Sequence, residues 1–254
     1  MKHFECTLWY LFVLVAVLCL MWCWPPTALL CKFRPPGVTA KVIQDRQGQG
    51  RRYAIYVPPC WKDGEELPLI VYLHGESDCG DDGRLQLRNG LASAVWERLQ
   101  TNDPLSCFVL FPQSVKPWQS DDSSQELVVD ILKRTIEEYR VDRERICLTG
   151  ISSGGIAAWQ IARAYPDLWA SLVPISCSAD EVEVESARYT KIPIRCYQNR
   201  FDDIESVRNA VAVINASGGS ARLIEFDDHT HNAWTSAYSD VSLYAWIFRQ
   251  SRTK

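Results

Sequence analysis

A chain of 254 residues, 47% hydrophobic and 23% charged, is long enough for one large buried core plus a short additional segment. Its formal net charge of −4 comes from acidic and basic residues scattered along the whole length, with no basic stripe, which excludes nucleic acid as an expected partner. No metal-ligand cluster, P-loop or G-x-G-x-x-G dinucleotide turn is present, so neither a metal nor a cofactor is expected.

The first segment runs from Met1 to about Trp24. From Leu8 to Trp24 it carries no charge, which meets the lower end of the roughly 17 to 25 residues that span a bilayer, and aromatic residues flank it at both ends. A cleaved secretory signal is the alternative, but signals have shorter apolar regions and small residues before the cut, and Trp22-Cys23-Trp24-Pro25-Pro26 offers none. The reading is an uncleaved apolar helix that anchors the chain in a membrane; a buried core helix is disfavoured because the stretch is apolar on every face. Lys2 precedes the segment and Lys32, Arg34 and Lys41 follow it, so orientation stays open between the two sides, as does secretion. Of ten cysteines, Cys6, Cys19, Cys23 and Cys31 cluster at this end, while Cys60, Cys79, Cys107, Cys147, Cys177 and Cys196 are spread singly. Cys147, Cys177 and Cys196 lie in or beside apolar runs and read as small core residues, and a disulfide at Cys60 or Cys79 stays open.

Pro25-Pro26 and Pro35-Pro36-Gly37 mark a linker over residues 25–37, and the globular domain takes up 38–254. Arg52 to Val57 alternates as a half-exposed strand that ends at Pro58-Pro59. Leu67 to Leu73 is a continuous apolar run, as expected of a strand buried on both faces of a parallel sheet. It leads into the loop His74-Gly75-Glu76-Ser77. Leu91 to Leu99 is an amphipathic helix, Cys107 to Phe111 a strand ended by Pro112, and Glu126 to Tyr139 a helix by the spacing of Leu127, Val128, Ile131, Leu132 and Ile136. Strands follow at Leu172–Ser176 and Ile192–Tyr197, then a helix over Ile204–Ala216 with Asp203 as its cap, a turn at Gly218-Gly219 and a last alternating strand at Ala221–Phe226. Only about fifteen residues separate Ser176 from Ile192, too few for a helical lid. Alternating strands and helices imply a mostly parallel central sheet with helices on both faces and functional groups at the strand C-terminal ends.

The sharpest motif interrupts this series. A short apolar run, Ile146 to Thr149, passes straight into Gly150-Ile151-Ser152-Ser153-Gly154 and then into the small-residue helical pattern Gly155-Ile156-Ala157-Ala158. Strand, sharp turn and helix in this order form a nucleophile elbow: a serine attacks a carbonyl only if it projects from a tight bend, and glycines two before and two after let neighbouring backbone pass. That register places Ser152, not Ser153, at the tip.

These residues, with their flanks, resemble the α/β-hydrolase superfamily, and more narrowly its small carboxylesterase, polyhydroxybutyrate-depolymerase-like and predicted-peptidase branch, over about residues 50 to 250. The resemblance implies an oxyanion hole made by the backbone N–H groups of Glu76 and Ser153, with His74 shaping the loop. It implies a Pro-Gln pair and downstream tryptophan beside the site mouth, here Pro112-Gln113 and Trp118. Relatives carry a His-Gly pair before the acid; this chain departs from that with Gln198-Asn199, and the matching acid is Asp202. The histidine stands three residues before a tryptophan, which selects His231 before Trp234, with His229 as the alternative. Trp118 and Trp234 would then offer flat surfaces at the substrate rim, with a packed loop tryptophan as the alternative at Trp118.

The order Ser152, Asp202, His231 is the hydrolase order of serine, acid and histidine. On this reading His231 takes the Ser152 proton, Asp202 orients the imidazolium, and an acyl-enzyme forms and is hydrolysed. The expected activity is that of a serine esterase acting on a small-molecule or polymeric ester. A peptidase of related mechanism and a membrane-tethered, non-catalytic binding module are the alternatives.

Overall fold

A computed structural model describes residues 37–252 apart from 121, 181 and 182, and side chains 183–185 are not included. The apolar helix expected over residues 1–24 and the linker up to residue 36 therefore lie outside the described residues. Among those described, no helix is long and apolar enough to cross a membrane.

Eight strands form one sheet: β1 (Val38–Gln44), β2 (Gly50–Tyr56), β3 (Leu67–Leu73), β4 (Phe108–Pro112), β5 (Val141–Ile151), β6 (Ser171–Ile175), β7 (Ile194–Asn199) and β8 (Ala221–Phe226). Their spatial order is β1-β2-β4-β3-β5-β6-β7-β8. The pairs β1·β2 and β2·β4 are antiparallel and every pair from β4·β3 onward is parallel. The helices are α1 (Leu91–Gln100), α2 (Asp122–Glu138), α3 (Ser153–Ala164), α4 (Ile204–Ala216), α5 (Trp234–Ser239) and α6 (Val241–Ile247).

The period of two in β3 sorts its side chains into two cores. Leu69, Val71 and Leu73 pack with Val128, Ile131 and Leu132 of α2 and with Ala157, Ala158 and Ile161 of α3. Ile70 and Tyr72 face the other way, toward Leu91 and Val95 of α1, Tyr238 of α5 and Leu243 of α6. A strand covered on both faces has no polar side to alternate with, which is why residues 67–73 read as one unbroken apolar run. β2 corrects the sequence reading: expected half-exposed, it has Tyr53, Ala54, Ile55 and Tyr56 fully buried, because Tyr53 and Ile55 face one core and Ala54 and Tyr56 the other.

The crossover from β4 to β5 passes over β3, so β3 and β5 are neighbours whose outgoing loops diverge. A crevice opens beyond the C-terminal ends of such a pair. Leu73 pairs with Gly150 at the end of this ladder, so the loop beginning at His74 and the turn at Ser152 emerge side by side. The interval between β6 and β7 holds a 3-10 turn, Glu183–Tyr189. Tyr189 donates its hydroxyl to Trp159 O at 3.1 Å and its ring meets the Trp159 ring edge-on at 5.3 Å. Among the described residues no helical lid stands over the β5 turn.

Candidate active site

β5 ends at Ile151 and α3 begins at Ser153, leaving Ser152 alone at the bend with φ 52° and ψ −122°. A non-glycine residue held there costs on the order of 1–3 kcal/mol, and the surroundings enforce it. Ser152 N donates to Ile175 O at 2.9 Å, while Ser152 O accepts from Gly155 N at 2.8 Å. The flanking glycines are required by close approach. A Cβ on Gly150 would lie 2.2 Å from Gly154 O, and one on Gly154 would lie 2.3 Å from Leu73 O.

The loops after β7 and β8 bring an acid and a histidine to this serine. His231 Nε2 lies 2.9 Å from Ser152 Oγ, and His231 Nδ1 lies 2.7 Å from Asp202 Oδ2. With the proton on Nδ1, that nitrogen donates to the carboxylate and leaves Nε2 to accept from the serine hydroxyl, the tautomer a base at Ser152 needs. The His231 side chain is 50% exposed, so the line of groups is open to solvent. Ser153 makes no such contact: its side chain is buried and its Oγ has no hydrogen-bond partner among the described residues. His229 points elsewhere, its ring stacked on Phe201 at 3.7 Å between centroids.

Glu76 opens a 3-10 turn, Glu76–Asp78, and Ser153 opens α3. The first N–H groups of a helical turn have no partner within it, so both positions carry donors free of intrahelical bonds. The two segments adjoin, since a Cβ on Gly75 would stand 3.7 Å from Ser152 Cβ. His74 sits beneath the loop as expected of a shaping residue: it is fully buried, its Nε2 accepts from Ser114 N at 3.0 Å and its Nδ1 meets Gly75 O at 2.7 Å. Burial pulls its pKa down to about 4, which keeps the ring neutral.

Two expectations about aromatic and polar neighbours change. Trp118 is not at a rim: it is fully buried, donates Nε1 to His74 O at 2.9 Å, and supports the loop from below. An indole N–H with a carbonyl partner in the interior gains more from packing than from lying exposed. Trp234, half-buried, does flank the site, its ring edge-on to the His231 ring at 5.6 Å. Asp203 stands at the N-cap position of α4, but its side chain makes no cap bond and instead accepts from the Ser206 hydroxyl at 3.4 Å.

Three positioning residues carried no recognisable signal in the sequence. Gln198, buried at the end of β7, donates Nε2 to Asp202 Oδ2 at 3.3 Å and to Asp203 O at 3.2 Å, while its Oε1 accepts from Cys177 N at 3.1 Å. Asn199 donates Nδ2 to Thr230 O at 2.7 Å, tying the acid loop to the histidine loop. Ser176, buried with φ 50°, accepts from Ala233 N at 3.1 Å and holds the far side of that loop. The Gln198-Asn199 pair was visible only as a departure from the pattern of relatives. Cys60, Cys79, Cys107, Cys147, Cys177 and Cys196 are all free thiols, the last four buried.

A cleft with a volume of about 310 Å³ lies elsewhere, between the β1–β2 turn and the start of α2, and includes none of Ser152, Asp202 or His231. The serine thus stands outside that cleft, beside a His231 side chain that is 50% exposed.

The chain is similar to several known proteins. A family model described as esterase PHB depolymerase matches residues 51–244. A bifunctional acetylxylan esterase/xylanase, XynS20E of Neocallimastix patriciarum, is 26% identical over 171 residues, which is 65% of this chain and 24% of that protein. The chain therefore spans about a quarter of the length of that curated relative. A thermostable esterase of known structure superposes with a TM-score of 0.74 at 26% identity, covering 85% of this chain and 63% of the other. The ferulic acid esterase AmCE1/Fae1A of Anaeromyces mucronatus, at 16% identity, shares the fold with a TM-score of 0.63 over 84% of this chain and 90% of its own.

Proposed function

The chain belongs to the esterase PHB depolymerase family, and from that premise we propose that it is a serine hydrolase of carboxylic esters, with Ser152 as nucleophile, His231 as base and Asp202 as the acid that orients it. The observation that carries this reading is the unbroken line from Ser152 Oγ through His231 to Asp202 Oδ2, at 2.9 and 2.7 Å. Ser152 Oγ adds to the ester carbonyl as His231 Nε2 takes its proton. The negative charge that develops on the carbonyl oxygen is met by the N–H groups of Glu76 and Ser153, donors already in place that need not reorganise. Collapse expels the alcohol, which takes the proton back from Nε2–H, and water repeats the sequence on the acyl-enzyme. The test is a fluorophosphonate probe on the folded full-length protein followed by peptide mapping. Phosphonylation of Ser152 is expected; labelling at Ser153 would move the nucleophile by one residue, and no labelling of the folded protein would favour a non-catalytic binding module.

The open setting of the serine supports short acyl or aryl esters as substrates, and names such as acetylxylan esterase and ferulic acid esterase among the similar proteins fit that range. Among the described residues there is no lid, and so no apolar surface for a lipid interface to uncover. A series of p-nitrophenyl esters of rising chain length should show highest kcat/KM at short chains and no rate jump where the substrate aggregates. A preference for chains of about twelve carbons or more, against the small contact area of an open site, would indicate a lipase instead.

A further inference from the structure

Phe201 leaves 55% of its surface in water, unusual for so apolar a residue one position from the proposed acid. It is not a stray side chain. Its ring lies face to face with His229 at 3.7 Å and 9° between planes, and His229 is two residues from the proposed base. The two loops that carry the rings are fastened to each other by Asn199 Nδ2 to Thr230 O at 2.7 Å, Arg200 N to Phe226 O at 2.8 Å and the ion pair of Arg200 with Asp227 at 3.3 Å. The stack is therefore set before any ligand arrives, and a ring that settled on it would pay little ordering entropy.

Which part of an ester would meet it follows from the proton's path. In the tetrahedral intermediate the oxygen anion faces the N–H groups of Glu76 and Ser153. The bond to the leaving oxygen breaks as that oxygen takes the proton from His231 Nε2–H, so the alcohol must lie on the histidine side and depart past the loop of residues 227–234. The acyl group stays on Ser152, away from that path. The charge around the stack narrows the choice further. Asp203, Asp227 and Asp228 all lie within two residues of one ring or the other, and Arg200 is already engaged by Asp227 and by Glu225. An anionic alcohol would be repelled and a neutral ring would not.

We propose that the Phe201–His229 stack is a binding platform for a neutral ring, a pyranose or an aryl group, in the alcohol portion of the ester. This rests on the serine-esterase reading. Stacking on an exposed aromatic face is worth a factor of about 3 to 10 in affinity.

The test holds the acyl group at acetate and varies the alcohol, using benzyl acetate and monoacetylated methyl xylopyranoside against ethyl acetate. The ratio of kcat/KM for each ring-bearing ester to that for ethyl acetate should fall about 3- to 10-fold in Phe201→Ala and be retained in Phe201→Trp. The ratio for ethyl butyrate to ethyl acetate, which reports on the acyl side, should not move. An unchanged alcohol ratio overturns the platform, and so does an acyl ratio that shifts as far as the alcohol ratio, which would mean a general disturbance of the histidine loop. Fluorophosphonate labelling of the wild-type protein separates the two levels. Failure to label Ser152 removes the esterase reading, whereas normal labelling with an unmoved alcohol ratio removes only the platform.

Discussion

His231→Ala should lower kcat for ethyl acetate by about four orders of magnitude or more, while His229→Ala should change it by less than about tenfold. The gap follows from reach. A general base must come within hydrogen-bond distance of the proton it removes, about 2.6–3.2 Å between heavy atoms. His231 Nε2 does so at 2.9 Å from Ser152 Oγ. His229 has its ring committed to Phe201, and His74 is buried with both ring nitrogens engaged. Neither can substitute without rebuilding a loop. Because Ser152 and His231 act as a unit, the double variant Ser152→Ala/His231→Ala should be scarcely slower than either single one. The measurements are initial rates by pH-stat, with thermal melts to show that each variant is folded. Equal losses from His229→Ala and His231→Ala, or additive losses in the double variant, would remove the proton-transfer role assigned to His231.

The layout was legible in the sequence where one physical rule dominated locally. β3, α4 and β8 stand close to where the residues alone place them, because continuous burial, amphipathic spacing and a short apolar run broken by Arg222 and Glu225 each leave a readable pattern. The elbow was legible because its glycines answer to backbone contacts of 2.2 and 2.3 Å, which no other residue could accept. Reading failed where position in the sheet, and not local pattern, sets the environment. β1 went unassigned since none of its residues is fully buried and Val42 is 58% exposed, so a half-covered edge strand shows no clean alternation. β2 reads as half-exposed in the sequence, because nothing in Arg52–Tyr56 announces that both faces of the sheet are covered there. α5 and α6, of six and seven residues, are too short to display a helical period. Trp118 looked like a rim residue because a loop tryptophan reads the same whether its indole N–H meets water or, as here, the carbonyl of His74. The supports of the site, Gln198, Asn199 and Ser176, act through hydrogen bonds to residues 4 to 57 positions away, and no periodicity encodes a partner of that kind.

Asp202→Asn should reduce kcat for ethyl acetate by about 10³- to 10⁴-fold with a much smaller change in KM, and Asp203→Asn should do little to either. The two residues are adjacent in sequence and both exposed enough to be confused. Their surroundings separate them: Asp202 Oδ2 lies 2.7 Å from His231 Nδ1, whereas the Asp203 carboxylate accepts from a serine hydroxyl at 3.4 Å at the start of α4. An amide at 202 keeps the size of the side chain but presents either an N–H₂ group, which cannot accept from Nδ1–H, or a neutral carbonyl, which stabilises an imidazolium far less than a carboxylate does. Gln198 sharpens the effect. Its Nε2 donates to the same Oδ2 at 3.3 Å, so an amide nitrogen at that position would face a second donor, and the side chain would turn its carbonyl there while losing the charge. The ground-state contacts to the ester are untouched, which is why the loss should appear in kcat. Should Asp203→Asn prove the more damaging of the two, the acid would have to be moved by one residue and the hydrogen bond to His231 would be incidental.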